Sequence, residues 1–163
     1  MKSIILFRHA KADWNPDYIN DHERPLNSIG MKAAKKMGQY LSDINTIPDL
    51  VISSSALRTK TTSSLAIKEG QWDSIFKIDS DIYLGDTNFL LMLLKKQSNK
   101  NNLICLTGHE PYLSSFLGQV INRSNIIFPT ASMSKINFNV SSWEEIEFNN
   151  AVLDWFIKPK ELI

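Results

Sequence analysis

The feature that most constrains the fold is a short apolar run that leads directly into an arginine and a histidine. Residues 4–7 (IILF) are uniformly apolar, which is typical of a strand buried on both faces of a helix-covered sheet. Arg8 and His9 follow at once, and both need polar partners where water is excluded. In open α/β sheets, ligands bind beyond the carboxyl ends of the strands. The position therefore predicts a pocket floor, with a surface Arg-His pair as the alternative.

Length, composition and charge indicate an ordinary globular chain. The 163 residues suffice for a single domain over 1–163, and 43% apolar and 21% charged residues are near the globular averages. The net charge of +1 provides no overall field that would attract nucleic acid or an acidic membrane surface. We therefore expect a monomer without nucleic acid or membrane partners, and any anion site must be local.

The apolar runs and the cysteine content favour a cytoplasmic location. A secretory signal needs about 7 to 15 apolar residues, which residues 4–7 do not supply, and no run reaches transmembrane length. Cys105 is the single cysteine, which excludes an internal disulfide and fits a reducing compartment. Because Cys105 stands in an apolar run, we expect it to be a small core residue rather than a catalytic thiol.

Strand and helix patterns alternate along the chain and end in a strand-rich tail. The predicted strands are 4–7, 48–52, 74–78, 103–106, 136–140, 143–148 and 152–157, and the predicted helices are 28–42, 56–69, 89–94 and 111–121. A loop occupies 13–25. This order indicates a three-layer α/β/α sandwich with a mixed, mostly parallel central sheet.

The predicted helices carry specific expectations about caps and buried faces. The first helix is expected to bury one apolar stripe, made of Ile29, Ala33, Met37, Tyr40, Leu41 and Ile44. The serines at 53–55 are expected to cap the second helix, which Gly70 ends. Asp86 or Thr87 is expected to cap the third helix.

Charged and imidazole side chains follow three different predicted strands. Arg8 and His9 follow the first strand, Arg58 begins the helix after the second, and His109 stands between a later strand and its helix. Because such positions meet at one edge of a parallel sheet, we expect these side chains to converge. Arginine guanidinium groups and the backbone N–H groups at helix N-termini bind the oxygens of a phosphoryl group or another oxyanion. No glycine-rich phosphate loop is present, so no motif supports nucleotide binding.

The same residues belong to longer motifs. These are Arg8-His-Ala-Lys-Ala followed by Asp13-Trp14, Asp21-His-Glu-Arg-Pro-Leu26 with Gly30, Ser55-Ala-Leu-Arg58, and Gly108-His-Glu-Pro111. In this order and spacing they resemble the histidine phosphatase superfamily, which includes the cofactor-dependent phosphoglycerate mutases, and within it the small SixA-type phosphohistidine phosphatases. The resemblance spans essentially the whole chain. It implies a phosphoglycerate mutase-like fold and a phosphatase.

Carried over residue by residue, the resemblance implies that His9 is the nucleophile and that Arg8, Arg58 and His109 bind the phosphoryl oxygens. Neighbouring arginines are expected to lower the pKa of His9 from about 6.5 and so keep its lone pair available. Water then cleaves phospho-His9 in a second step. No metal and no cofactor is implied. His22 lacks the spacing of a metal motif with the other histidines, so we expect it to be solvated.

The loop residues receive separate interpretations. Arg24 is expected at the mouth of the pocket as a phosphate or substrate contact, with a surface ion pair to Asp21 or Glu23 as the alternative. Trp14 and Tyr18 are expected to pin the loop by packing, with a wall for a protein substrate as the alternative.

The sequence departs from the superfamily pattern at the general acid. Most members place a glutamate after the third strand, whereas residues 79–85 contain none. Asp86 follows, but a helix-capping role is the simpler interpretation. Glu110 and Asp13 are the remaining candidate acids, and Glu110 also stands where a cap is expected. An alcohol leaves badly without an acid, whereas the imidazole of phosphohistidine leaves readily.

Three functions follow as hypotheses. The leading one is a phosphatase that acts on phosphohistidine in a partner protein, such as a histidine phosphotransfer domain. The second is a phosphomonoesterase of the same superfamily for small molecules, which needs an acid and a deeper lid. The third is a phosphate-binding module without turnover, for which a nucleophile at His9 is superfluous.

Overall fold

A computed structural model describes residues 1–14 and 20–162 of the chain, so the predicted role of Tyr18 lies outside the described residues. The strands are β1 (Lys2–Arg8), β2 (Leu50–Ser53), β3 (Ile75–Ile78), β4 (Leu103–Gly108), β5 (Met133–Phe138) and β6 (Ala151–Ile157). The helices are α1 (Ser28–Asp43), α2 (Leu57–Gly70), α3 (Thr87–Lys95) and α4 (Tyr112–Ile121). Within the described ranges, no helix has the length and apolar character needed to cross a membrane.

The strands that the structure describes form one sheet in the order β3-β2-β4-β1-β5-β6. The first four are mutually parallel, with Ile5 opposite Cys105 where β1 meets β4, and β5 and β6 add on in antiparallel fashion. The predicted strand at 143–148 is wrong, because Trp143–Glu145 is a short 3-10 turn. The Trp143 indole is fully buried and donates a hydrogen bond to the carbonyl of Asn101 at 2.8 Å. This residue therefore packs in the core and does not pair as a strand in the sheet.

The two faces of the sheet are covered by different helix pairs, which gives the predicted three layers. Alternate residues of β1 point to opposite faces. Ile4 and Leu6 pack with α3 and α4, and Ile5 and Phe7 pack with α1 and α2. Cys105 lies in the middle of β4, and burial raises the pKa of its thiol to about 12. The expectation that Cys105 is a core residue is therefore confirmed.

The buried face of α1 differs from the predicted stripe. Its fully buried residues are Gly30, Ala34, Met37, Gly38 and Leu41. Ile29 is instead 62% exposed and Ile44 is 37% exposed. The cause is glycine: a Cβ on Gly38 would collide with the backbone carbonyl of Ala66 in α2, so the two helices pack at backbone contact. This close approach selects the glycine face of α1 and turns Ile29 towards solvent.

Candidate active site

The structure brings the predicted residues together at one edge of the sheet. His9 follows β1, His109 follows β4, and Arg58 lies in the first turn of α2 behind β2. They line an open pocket of about 200 Å³ with Arg8, Asp21, Tyr83, Leu84, Glu110 and Tyr112. The two imidazole rings lie 5.4 Å apart between centroids. The alternative of an isolated surface Arg-His pair is excluded.

The hydrogen bonding of His9 fixes its tautomer. Its Nδ1 lies 2.8 Å from the carbonyl oxygen of Ala10, which can only accept, so Nδ1 carries the proton. The Nε2 atom therefore holds the lone pair. The pKa of His9 is lowered to about 4, first by burial and then by the positive charges of Arg58, Arg8 and Arg24. Burial therefore lowers the pKa of His9 more than the arginines do, whereas the expectation from the sequence named the arginines alone.

Backbone bonds and one buried hydroxyl fix the loop that carries His9. The His9 N–H donates to Gly108 at 3.2 Å, and its carbonyl accepts the N–H of Ala131 at 3.0 Å. The Thr62 hydroxyl accepts the N–H of Ala10 at 2.9 Å and donates to the Arg58 carbonyl at 2.7 Å. This hydroxyl ties the His9 loop directly to the helix turn that carries Arg58.

His109 is held from the side of β2. Its Nε2 lies 2.8 Å from the hydroxyl of Ser54, and its pKa is lowered to about 3 by burial, by His9 and by Arg58. The expectation that serines cap α2 is wrong, since the cap residue is Ala56 and provides no side-chain hydrogen bond. The Ser54 oxygen instead accepts the Ala56 N–H at 3.2 Å, and the same hydroxyl forms a hydrogen bond with Nε2 of His109.

Two buried nitrogen atoms in this pocket have no partner. They are Nδ1 of His109 and Nε of Arg8, which lack a hydrogen-bond partner among the described residues. The Arg8 side chain is otherwise fixed, because its Nη1 donates to the Phe128 carbonyl at 2.8 Å. A buried polar nitrogen without a partner carries a free-energy cost unless a ligand supplies one.

Asp21 is the site residue that the sequence analysis missed as a functional group. Arg58 donates to its carbonyl oxygen at 2.7 Å and to its Oδ2 at 2.9 Å. Its carboxylate also accepts Arg24 at 2.7 Å and the Tyr83 hydroxyl at 2.5 Å. Partial burial opposes ionisation of Asp21, but the hydrogen bonds from Tyr83, Arg24 and Arg58 hold its pKa well below the usual range. One carboxylate therefore orients two guanidinium groups.

Arg24 forms the ion pair of the second predicted alternative, but in a buried form, and it is not among the described residues that line the pocket. The ion pair with Asp21 is present, but Arg24 is only 8% exposed, and its Nε donates to the carbonyl of Asp13 at 3.0 Å. Its guanidinium carbon lies 3.3 Å from the centre of the Trp14 ring. Trp14 is 80% exposed, so its packing is confined to one face: the indole covers the Arg24 guanidinium and leaves its other face to solvent.

The three candidate acids occupy different positions. Asp86 caps α3 by accepting the Phe89 N–H at 2.9 Å, which confirms the simpler interpretation. Glu110 lines the pocket, but its Oε1 accepts the Ser114 N–H at 2.7 Å in the first turn of α4. Asp13 is not among the described residues that line the pocket, and its backbone carbonyl supports Arg24.

His22 is more ordered than predicted. Its two ring nitrogens lie 2.9 Å from the Glu23 carboxylate and 2.9 Å from the Ser55 hydroxyl, and the ring packs edge-on against Tyr83. The expectation of a solvated residue is therefore wrong. Across residues 1–14 and 20–162, no group of three His, Cys, Asp or Glu side chains is placed to hold a metal ion.

A segment that covers just under half of the chain matches a known family model. Residues 4–81 match the model of the histidine phosphatase superfamily (branch 1). Over this segment the chain is similar to that superfamily. The matched segment runs from β1 to the turn after β3 and contains Arg8, His9 and Arg58, whereas His109 lies beyond it.

One relative and two solved structures illustrate what the chain is similar to. An uncharacterised chloroplastic protein of Arabidopsis thaliana is 41% identical over 61 residues, which are 37% of this chain and 28% of that protein. A protein from Agrobacterium tumefaciens assigned as the phosphohistidine phosphatase SixA has a TM-score of 0.82 at 23% identity, covering 97% and 98% of the two chains. The protein histidine phosphatase SixA complexed with tungstate has a TM-score of 0.84 at 18% identity, covering 98% of each chain. The predicted phosphoglycerate mutase-like fold is confirmed.

Proposed function

We propose that this protein is a phosphatase that forms a covalent phosphohistidine on His9 and hydrolyses phosphohistidine on a partner protein, such as a histidine phosphotransfer domain. The observation that carries the proposal is the state of His9: a buried, uncharged imidazole with its Nε2 lone pair free between Arg8 and Arg58. A neutral imidazole is a nucleophile at neutral pH, and the arginines offset the charge of the group that it attacks.

In the first step, Nε2 of His9 forms a bond to phosphorus while the bond from phosphorus to the partner's imidazole nitrogen breaks. The partner's imidazole leaves with its electron pair and takes a proton from solvent. Arg8, Arg58 and His109 hold the equatorial oxygens during this transfer. In the second step, water attacks phosphorus, the bond to Nε2 breaks, and inorganic phosphate is released.

The unpartnered nitrogens support these roles for Arg8 and His109. In the tautomer in which the Ser54 hydroxyl donates to Nε2 of His109, the neutral ring carries its proton on Nδ1 and can donate it to an oxyanion. Nε of Arg8 is a second buried donor available to the same oxyanion. Tungstate is an oxyanion of this kind, and the similar SixA protein was solved with it.

Pocket size and the state of the candidate acids support phosphohistidine as the substrate. The pocket volume of about 200 Å³ is below the range of roughly 300–1,000 Å³ typical of small-molecule sites. An open pocket of this size admits one phosphorylated side chain projecting from a protein surface. Asp86 and Glu110 each use one carboxylate oxygen to accept a backbone N–H at the start of a helix, which disfavours them as a dedicated acid for an alcohol leaving group.

A second candidate, a phosphomonoesterase for small molecules, is favoured by one observation. Glu110 lines the pocket, and its Oε2 is not used in the helix-capping bond. Under this alternative, Glu110 would protonate the leaving alkoxide. Glu110→Gln would then abolish turnover of an ester and spare a phosphoramidate, whereas Asp86→Asn, a matched change at a cap outside the pocket, would spare both.

The test of the proposal offers a phosphorylated phosphotransfer domain and para-nitrophenyl phosphate to the purified protein. We expect much faster phosphate release from the domain than from the ester, and no release from either with His9→Ala. Equal release by the wild type and His9→Ala would contradict the mechanism. Preferential turnover of the ester that is lost in Glu110→Gln would assign the second candidate function.

A further inference from the structure

A second cleft lies next to the pocket and is not used by the proposed chemistry. Its volume is about 260 Å³, and its lining includes Lys11, Ile29, Pro129, Thr130, Lys158 and Lys160. It therefore joins the loop after His9, the start of α1 and the turn that follows β6. The composition is unlike that of the pocket, because Ile29, Ala33 and two prolines, Pro129 and Pro159, lie among three lysines.

The segment 128–131 links the cleft to the pocket. Phe128 accepts the hydrogen bond of Arg8, and Ala131 donates to the His9 carbonyl at 3.0 Å, so the two ends of this segment contact pocket residues while its middle residues line the cleft. Lys11 is two residues from His9, a chain distance of at most about 7 Å. A partner whose phosphorylated side chain enters the pocket would thus bring its neighbouring residues over the cleft.

The exposed groups of the cleft define the chemistry of what it can bind. Ile29 is 62% exposed, so a large aliphatic side chain is accessible in the cleft. Among the described residues, the structure contains no ion pair to Lys11, Lys158 or Lys160. The nearby Glu161 carboxylate accepts the backbone N–H of Lys158 at 3.1 Å. The cleft therefore offers one apolar anchor and three available cations.

We infer that this cleft docks an acidic segment of the phosphorylated partner protein, with an aliphatic side chain of that segment against Ile29 and its carboxylates against the three lysines. The inference rests on the proposed function, because the pocket must hold the partner's phosphoryl group. Charge complementarity selects an acidic partner, and the apolar anchor favours a protein over a purely charged polymer. Docking of this kind raises the rate of encounter and orients the phosphorylated side chain.

The test uses two synthetic peptides that share a central phosphohistidine, one flanked by glutamate and leucine and the other by lysine and leucine. Free phosphohistidine serves as a third substrate. For the wild type we expect kcat/KM to be about tenfold higher for the acidic peptide than for the basic one, and this preference to shrink as salt screens the charges. The rate with free phosphohistidine sets the activity of the pocket alone.

Reversing the charge of the cleft lysines then tests whether the cleft is the source of the peptide preference. Lys158→Glu with Lys160→Glu should abolish or invert the peptide preference and leave the turnover of free phosphohistidine unchanged. Ile29→Asp should lower kcat/KM for the acidic peptide alone. The matched controls lie on α3 or directly after it, on the opposite face of the sheet: Lys95→Glu with Lys96→Glu, and Met92→Asp, whose side chain is 50% exposed.

The outcomes separate this inference from the proposed function. Equal kcat/KM of the wild type for both peptides, with normal turnover of all three substrates, would overturn the docking site alone. A peptide preference that survives the double charge reversal would overturn it as well. Loss of free phosphohistidine turnover in the double variant would assign the lysines to the pocket and contradict docking. Failure of the wild type to release phosphate from any of the three would overturn both proposals.

Discussion

The pocket and the cleft beside it are both cationic, yet their cations are built differently. Arg8 and Arg58 are fixed by hydrogen bonds to Phe128 and Asp21, whereas the cleft lysines form no ion pair with described residues. A fixed guanidinium presents its remaining N–H groups in set directions, while an ammonium on a flexible stem supplies charge without direction. Pocket substitutions should therefore affect every substrate, and cleft substitutions only those carried on a protein.

The largest expected effect comes from the nucleophile. His9→Ala should reduce kcat for phosphohistidine peptides and for free phosphohistidine by more than about 10³-fold, because covalent transfer is lost. Steady-state phosphate release measures this change, and circular dichroism checks that the variant is folded. If His9→Ala still released phosphate from free phosphohistidine but no longer from the peptides, this would contradict the assignment of the chemistry to the pocket and of docking to the cleft.

A reciprocal exchange of the two cation types sharpens the comparison. Arg58→Lys should lower kcat for all substrates by roughly 10²- to 10³-fold, since a lysine cannot span Asp21 and the phosphoryl oxygens together. Lys158→Arg keeps the charge in the cleft and should leave all rates unchanged. Comparable losses from both exchanges, measured as kcat with saturating peptide, would contradict the distinction between directed and undirected charge.

Burial should also separate the two regions in their pH dependence. The folded pKa of His9 is about 4, against an ordinary value of 6.5, so between these values the unfolded chain binds a proton that the folded chain does not. The free energy of unfolding should therefore fall as pH decreases from about 6.5 to 4, by on the order of 3 kcal/mol for His9.

His109 acts in the same direction, since burial lowers its pKa to about 3. Urea unfolding at pH 7, 5.5 and 4.5 measures the effect. His9→Gln should reduce the pH dependence, and Lys158→Gln, which lies outside the pocket, should not. An identical pH dependence in the wild type and His9→Gln would exclude a buried, uncharged His9.

The smallest of the expected pocket effects concerns Asp21. Asp21→Asn weakens the bonds that orient Arg58 and Arg24, and we expect kcat to fall about tenfold for every substrate. Inhibition by tungstate should weaken in parallel. The matched control is Asp154→Asn, which removes an ion pair with Lys135 at the far edge of the sheet. Tighter tungstate binding with an unchanged kcat would identify Asp21 as a competitor for the arginines rather than their support.

The architecture and the convergence of the site were predictable because each rests on local sequence. The apolar runs of β1, β2 and β4 are continuous, and Arg8, His9, Arg58 and His109 each follow one of them, so the topology brings them to one edge. The helix cap at Asp86 is likewise a local property of the chain.

The remaining features depend on contacts between distant segments. Asp21 reaches Arg58, 37 residues away, and Tyr83, 62 residues away, and neither distance leaves a periodic signal. Ser54 serves His109 instead of capping α2, because the imidazole competes for its hydroxyl. Ile29 falls on the predicted core stripe because its side chain is apolar. The orientation of α1 is set instead by a glycine contact with α2, which the apolar pattern does not contain.

The most direct test of the central claim is to trap the phosphoenzyme during turnover. The protein is mixed with a phosphohistidine-bearing domain that carries labelled phosphate, quenched within milliseconds in alkali, and digested for mass spectrometry. A covalent intermediate on an imidazole should give acid-labile, base-stable label on the peptide that contains His9. Label on any other residue, or steady turnover without labelled protein, would contradict the account.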